Sequence, residues 1–138
     1  MIRAWLAALA LLVPASAGAQ AFQCRAPSQL AMPPAPQPEG PIRRMPVVRY
    51  TLAASWSPEH CKTRGRTGSW QCSGQAGRFG FVLHGLWPEG ANGRWPQWCA
   101  LTPRPSPAQL AEQLCMTPDP RLLEHAWAKH GSCMATRP

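Results

Sequence analysis

The sequence predicts a small α+β domain, because two strand patterns precede two helix patterns in one domain-sized chain. The first strand pattern is the β-branched, aromatic and apolar run from Val47 to Ser55. The second covers residues 79–84, where large apolar residues alternate with others at the period of two that is typical of strands. Helix start signals follow both strands, so we expect the helices in the C-terminal half.

Three segments are predicted along the chain. Residues 1–19 read as a signal peptide, because Arg3 precedes an apolar run and small residues follow at cleavage-site distance. That run is shorter than the roughly 20 residues that span a bilayer, so we expect no membrane attachment after cleavage. Residues 20–46 form a Pro-rich N-terminal arm, and residues 47–138 form the folded unit.

The loops between the elements are predicted from their turn residues. A turn at Ser57-Pro58 is expected to end the first strand, and the Gly- and Ser-rich residues 62–77 read as a loop. The second strand should place His84 at its end, on the face opposite the phenylalanines before it. A further loop is expected to begin at Trp87-Pro88.

Both helices carry capping residues. Ser106 as N-cap, with proline next and Gln109 three residues after the cap, forms a capping box for a helix that runs to about Cys115. Asp119 caps the second helix, which also has proline in its first position and ends at Gly131.

The six cysteines all lie after the predicted signal peptide, which favours disulfide bonds in an exported protein. The spacing alone leaves the pairing open, although Cys61 and Cys72 are placed to staple the loop between them. Zinc is the rival interpretation, but no Cys-x-x-Cys pair occurs in the sequence.

The formal net charge of +8 comes mainly from twelve arginines. Such an excess suits a polyanionic partner or an anionic surface, and it is equally compatible with a solvated basic exterior. Charge by itself therefore does not identify the partner.

Three cationic or titratable side chains are concentrated at the end of the second helix. His130 lies on the apolar stripe, which predicts partial burial, whereas His125 and Lys129 are four residues apart and therefore adjacent. This cluster offers proton-transfer groups and an anion-binding cation, with no carboxylate pair nearby to hold a metal. His60 lacks such surroundings and is interpreted as a surface residue.

Two segments resemble the active-site segments of the ribonuclease T2 family: Phe81-Val-Leu-His-Gly-Leu-Trp-Pro88 and His125-Ala-Trp-Ala-Lys-His-Gly-Ser-Cys133. The run Tyr50-Thr-Leu-Ala-Ala-Ser-Trp-Ser-Pro58, with Cys61 after it, is similar to the first core strand of that family. The resemblance spans residues 50–133, so residues 47–138 are interpreted as a partial T2-like catalytic domain.

The resemblance implies an antiparallel central sheet with packed helices, and cleavage of single-stranded RNA through a 2′,3′-cyclic phosphate. It implies His130 as general base, His84 as general acid, His125 as phosphate-binding group and Lys129 as electrostatic stabiliser. RNA supplies its own nucleophile, the 2′-hydroxyl, so two imidazoles and a cation are sufficient. No cofactor and no metal are expected, the partner is RNA, no obligate protein partner is indicated, and the location is secreted or periplasmic.

The resemblance also places Trp87 and Glu89 where family members build a base pocket. An aromatic face and a hydrogen-bond acceptor suit an unpaired base. The alternative for Trp87 is a place in the core, because tryptophan is commonly buried whatever its role.

The sequence departs from the family pattern in two ways. Ala126 stands where the family has glutamate, one helical turn before His130. The chain also ends five residues after Cys133, so we expect the C-terminal part of the fold to be missing and Cys99–Cys133 to be a retained family bridge. Both departures predict impaired activity.

These departures leave two alternatives to the ribonuclease. One is a non-catalytic relative that binds RNA or another polyanion. The other is an exported, disulfide-stapled domain that binds acidic envelope polymers through its arginines.

Overall fold

The computed structural model describes residues 23–66 and 68–134, so the predicted signal peptide lies outside the described residues. Its centre is a two-stranded antiparallel sheet of β1 (Arg49–Trp56) and β2 (Phe81–Glu89). Helices accompany this sheet, which confirms the predicted α+β class.

A β-bulge interrupts the pairing of the two strands. Ala53 pairs with Gly85 and Ala54 pairs with Leu83, so His84 is the extra residue on β2. A bulge re-aims a side chain and is common beside functional sites. His84 thus lies in the middle of β2, and the prediction that it ends the strand was wrong.

The strand also continues where a loop was predicted. Trp87 and Pro88 belong to β2, and Pro88 lies opposite Tyr50. Proline has no N–H to donate, but in the described part of the sheet β2 pairs only with β1, so one side of the strand needs no donor.

A short helix, α1 (Ser57–Thr63), follows β1 directly. Ser57-Pro58 starts this helix, although the sequence predicted only a turn, because proline is tolerated in the first helical turn. The Ser57 amide donates to the Gly80 carbonyl (2.9 Å), and this bond fixes the start of α1 beside β2.

The two C-terminal helices begin as predicted. In α2 (Pro107–Gln113) the Ser106 side chain accepts from the third helical amide, and the reciprocal glutamine bond completes the capping box. In α3 (Pro120–Lys129) the Asp119 carboxylate accepts from two backbone amides. A 3₁₀ turn, Gly131–Cys133, continues from α3 and ends the regular structure within the described residues.

Three disulfides use all six cysteines: Cys24–Cys115, Cys61–Cys72 and Cys99–Cys133. The expected Cys99–Cys133 bridge is confirmed and joins the loop after β2 to the end of the α3 region. Cys24–Cys115 attaches the Pro-rich arm just beyond α2.

The arm lies along the rest of the domain. Arg43 and Gln97 form an isolated antiparallel bridge, and the Arg104 guanidinium donates to the Pro33 carbonyl. The arm therefore holds a defined place next to the loop that follows β2.

Buried apolar side chains form a cluster under the start of β2, made by Ala76, Phe79 and Val82. Leu110 of α2 and Leu114 at the C-terminal cap of that helix are almost completely buried. Among the described residues, no helix has the length and apolar character needed to cross a membrane.

Candidate active site

His84 is held by a neighbour on the paired strand. Its Nδ1 lies 2.8 Å from the Ser55 hydroxyl, and the imidazole is half-buried. A hydroxyl both donates and accepts, so it can bond Nδ1 when the ring is neutral and when it is protonated. The bond leaves Nε2 as the nitrogen available for chemistry.

Trp87 joins the two predicted catalytic histidines. Its ring centre is 5.5 Å from that of His84, which it meets edge-on, and 5.7 Å from that of His130. The distance between the two imidazole centres therefore cannot exceed the sum of these two distances. Gly85 makes this position possible, because a Cβ there would lie 2.8 Å from the indole Nε1.

His130 lies at the C-terminal cap of α3. Burial lowers its pKa from 6.5 to about 4, with further lowering by the charges of Lys129, His125 and His84. The ring is therefore neutral near pH 7. Its Nδ1 is buried and has no hydrogen-bond partner among the described residues.

A second glycine-tryptophan contact fixes the backbone after His130. A Cβ on Gly131 would lie 2.3 Å from a ring carbon of Trp127, so only glycine fits without displacing the indole. The Trp127 N–H donates to the Pro103 carbonyl (3.0 Å), which anchors the ring. The close approach explains why glycine follows His130.

His125 packs edge-on against Trp98, with ring centres 5.5 Å apart. Burial lowers the pKa of His125, the charge of Lys129 lowers it further, and Glu39 of the arm opposes the shift. The amide of Trp98 donates to the Lys129 carbonyl (2.8 Å), so the loop after β2 is tied to the end of α3.

Two cavities divide the predicted site residues. One, of about 510 Å³, is lined by Trp87, Glu89, Lys129 and His130, together with Arg49, Pro88, Gly93, Arg94 and Trp95. The other, of about 370 Å³, is mainly apolar and includes His84 and Ala126 in its lining. The structure therefore brings four predicted residues to one cavity, places His84 in the other, and leaves His125 in the lining of neither.

Glu89 is fixed as an ionised acceptor in the larger cavity. The Thr51 hydroxyl donates to one carboxylate oxygen and the Arg49 guanidinium to the other. The hydrogen bond from Thr51, followed by that from Arg49, lowers the pKa of Glu89. The side chain thus presents negative charge beside Trp87.

The carboxylate of Glu124 on α3 has a structural role. Glu124 is buried, and both of its oxygens accept from Arg104 at 2.8 Å. This pair holds α3 against the segment before α2, so Glu124 does not supply the carboxylate missing at Ala126.

Sequence reasoning missed the residues that orient the site. Ser55, Thr51 and Arg49 all lie on β1, and each acts on a residue of β2. The strand pattern of β1 signals its pairing but not its register, and only the register shows which side chains meet.

Across residues 23–66 and 68–134, no group of three or more His, Cys, Asp or Glu side chains is arranged to hold a metal ion.

Most of this chain matches the model of a known protein family. The model of the Ribonuclease T2 family matches residues 48–138. The match contains β1, β2, every helix of the described residues and every predicted site residue, while the Pro-rich arm lies before it.

Curated relatives and one solved structure are similar to this chain. A probable ribonuclease of Haemophilus influenzae is 37% identical over 107 residues, which is 68% of this chain and 39% of that protein. A ribonuclease of Aeromonas hydrophila is 44% identical over 84 residues, which is 61% of this chain and 36% of that protein. The chain therefore spans about two fifths of the length of these relatives. The crystal structure of RNase NT in complex with 5′-AMP aligns with a TM-score of 0.51 and 27% identity, covering 63% of this chain and 48% of that chain.

Proposed function

Because this chain belongs to the ribonuclease T2 family, we propose that it is a metal-independent endoribonuclease that cleaves single-stranded RNA. In this reaction the 2′-oxygen attacks the adjacent phosphorus, loses its proton to a base, and expels the 5′-oxygen, which takes a proton from an acid. The product ends in a 2′,3′-cyclic phosphate. RNA provides the nucleophile, so the protein supplies proton transfer and charge stabilisation.

The observation that carries the proposal is the contact of one indole, Trp87, with both His84 and His130. The two imidazoles contact the same indole but line different cavities, so the proposal requires one nucleotide unit to pass Trp87 and reach both rings. Lys129 precedes His130 and lines the same cavity, where its ammonium would stabilise the charge of the phosphorane.

The proton-transfer roles follow from the surroundings of the two rings. His130 has a pKa lowered to about 4, so it is neutral near pH 7 and is proposed as the base that accepts the 2′-hydroxyl proton. His84 is proposed as the acid. When its imidazole is protonated, Ser55 accepts from Nδ1–H and leaves Nε2–H to donate to the leaving 5′-oxygen.

Anion binding is assigned to the other cationic groups of α3. His125 is proposed to contact a phosphate oxygen, with Lys129 one helical turn away. Burial and Lys129 lower the pKa of His125, and a bound phosphate would favour its protonated form.

The base pocket is proposed to lie in the larger cavity. Trp87 offers an aromatic face for stacking, and the ionised Glu89 accepts hydrogen bonds from amino or imino groups of an unpaired base. Thr51 and Arg49 keep that carboxylate in place.

The experiment is a cleavage assay on single-stranded RNA in the presence of a chelator. Wild-type protein should cleave RNA, leave single-stranded DNA intact and produce 2′,3′-cyclic phosphate ends detectable by mass spectrometry. His84→Ala and His130→Ala should each lose roughly 10²- to 10⁴-fold in rate. His60→Ala is the matched control, because His60 is exposed on α1. Activity that disappears with chelator and returns with zinc or magnesium would contradict the proposal.

A second candidate is a non-catalytic relative that binds RNA or another polyanion. Two observations favour it: Ala126 supplies no carboxylate, and Nδ1 of His130 has no partner among the described residues. Tight RNA binding with turnover no faster than that of His130→Ala would select this candidate.

Export to the periplasm or the exterior is proposed as well. The three disulfides fit an oxidising compartment, and residues 1–19 supply the predicted signal. N-terminal sequencing of protein recovered from the periplasm or medium should give Gln20 as the first residue.

A further inference from the structure

The Pro-rich arm reaches the wall of the larger cavity, although it lies before the part of the chain that the family model matches. The Arg43 guanidinium lies over the Trp95 ring, 4.4 Å from its centre. Trp95 lines the cavity together with Trp87 and is 44% exposed. One arm residue thus covers part of an aromatic wall of the candidate base pocket.

The backbone holds Arg43 in this position. Its amide donates to the Gln97 carbonyl, and the Gln97 amide donates to the Arg43 carbonyl, both at 3.0 Å. These two bonds form without the Arg43 side chain. The guanidinium is therefore a separable feature whose removal leaves the arm attached.

The buried Gln97 side chain fixes the edge of the same indole. Its Oε1 accepts from the Trp95 N–H (3.2 Å), and its Nε2 donates to the Pro41 carbonyl of the arm (2.9 Å). With only 5% of Gln97 exposed, these bonds exchange little with water. The Trp95 ring is thus restrained at its edge by Gln97 and on a face by Arg43.

We propose that the arm is part of the nucleotide-binding pocket, with Arg43 and Gln97 as positioning residues that hold Trp95 as a stacking wall for an unpaired base. The inference rests on the proposed function and extends it to the arm, which contributes Arg43 from outside the family match. Aromatic side chains stack on bases with little dependence on sequence, and a cation on an indole face is attracted to the ring. Lys129 and Arg94 in the same cavity supply positive charge for the attached phosphate.

A purely structural role for the arm is the competing explanation, and substrate affinity separates the two. Arg43→Ala should raise KM for single-stranded RNA roughly two- to thirtyfold, the range from an exposed to a desolvated cation–π contact, because Arg43 is half-buried, while kcat stays unchanged. The dissociation constant of 5′-AMP, measured by calorimetry, should rise by the same factor. Arg121→Ala removes the same charge from the first turn of α3, far from Lys129 in its last turn, and should leave both quantities unchanged.

Three further variants separate the contributions of charge and geometry. Trp95→Phe keeps an aromatic wall but removes the N–H that Gln97 accepts, and it should weaken 5′-AMP binding less than Trp95→Ala. Trp95→Ala should weaken it roughly five- to hundredfold, as expected for loss of a base-stacking platform. Arg43→Lys keeps the charge without the planar group and should fall between wild type and Arg43→Ala.

The measurement of 5′-AMP binding does not require catalysis. If no variant, wild type included, cleaves RNA but 5′-AMP affinity follows the predicted order, the proposed function fails and the pocket stands. If Arg43→Ala leaves KM and the 5′-AMP dissociation constant at wild-type values, or if 5′-AMP does not bind the wild type, the arm has no place in the pocket. A fall in melting temperature with unchanged affinity likewise selects the structural role.

Discussion

The two histidine regions of the site are constructed differently. His84 is a bulge residue in the middle of a strand, and its Nδ1 is bonded to the Ser55 hydroxyl. His130 lies at the end of a helix, and its Nδ1 is buried without a partner in the described part of the chain. The first ring is oriented by a hydrogen bond, whereas the second packs against Trp87 and is followed by the backbone that Gly131 allows.

This difference has a chemical consequence. A neutral hydroxyl accommodates both protonation states of His84, as a proton donor requires. Burial and nearby positive charge keep His130 neutral by lowering its pKa to about 4, which makes it available as a base but a weak one at neutral pH. The comparison therefore places the expected rate deficit in the His130 region, close to Ala126.

The largest effect should come from restoring a carboxylate on α3. Position 126 lies one turn before His130 on α3, and Ala126 shares the lining of the apolar cavity with His84. Ala126→Glu should raise the rate of RNA cleavage by up to about 10²-fold, because a carboxylate near both rings favours their protonated forms and stabilises the transition state. The measurement is kcat/KM against pH, whose alkaline limb should move to higher pH.

Ala126→Gln is the control, since it has nearly the same shape without the charge. It should leave both the rate and the pH profile at wild-type values. If Ala126→Glu and Ala126→Gln cleave RNA at equal rates, the low rate of the wild type does not arise from a missing negative charge. The difference between the His84 and His130 regions would then not explain that low rate.

A smaller effect is expected from the hydrogen bond that distinguishes His84. Ser55→Ala should lower kcat roughly tenfold with little change in KM, because the imidazole loses the bond that fixes Nδ1, an energy of about 1 kcal/mol or slightly more. Ser55→Thr keeps the hydroxyl and should restore most of the rate.

If Ser55→Ala lowers kcat and Ser55→Thr does not restore it, Ser55 has a packing role. A kcat of Ser55→Ala equal to that of wild type would show that the hydrogen bond between Ser55 and His84 does not contribute to catalysis. Neither result depends on the identity of the general base.

The two C-terminal helices were predictable from sequence because their signals are local. Ser106 and Asp119 occur directly before a proline and cap their own first turns, so no distant contact is needed to recognise them. His125, Lys129 and His130 could be grouped for the same reason, since helical spacing alone sets them on adjacent positions.

The orientation of the site was not predictable from sequence. The bulge at His84 and its bond to Ser55, 29 residues earlier, depend on the register between β1 and β2. The continuation of β2 through Trp87 to Glu89 was missed because Pro88 and the nearby glycines are typical of a loop. Pairing with β1 overrode that local signal. Tertiary contacts, rather than residue type, decide these positions.

The smallest effect tests the buried state of His130 through stability. The unfolded chain takes up a proton near the ordinary pKa of 6.5, whereas the folded chain does so only near 4. Stability that is fully present above pH 6.5 should therefore decline as the pH falls from 6.5 towards 4. The measurement is the melting temperature of wild type and His130→Asn across this range.

Asparagine does not titrate, so the melting temperature of His130→Asn should fall less than that of the wild type between pH 6.5 and 4. The control His60→Asn changes an exposed histidine and should follow the wild type. His125 contributes in the same direction, because burial also lowers its pKa. Parallel curves for wild type and His130→Asn would mean that His130 is solvated and free to protonate. In that case the two histidine regions would not differ in their ability to hold a proton, and a deficit at Ala126 would have to act through His84 alone.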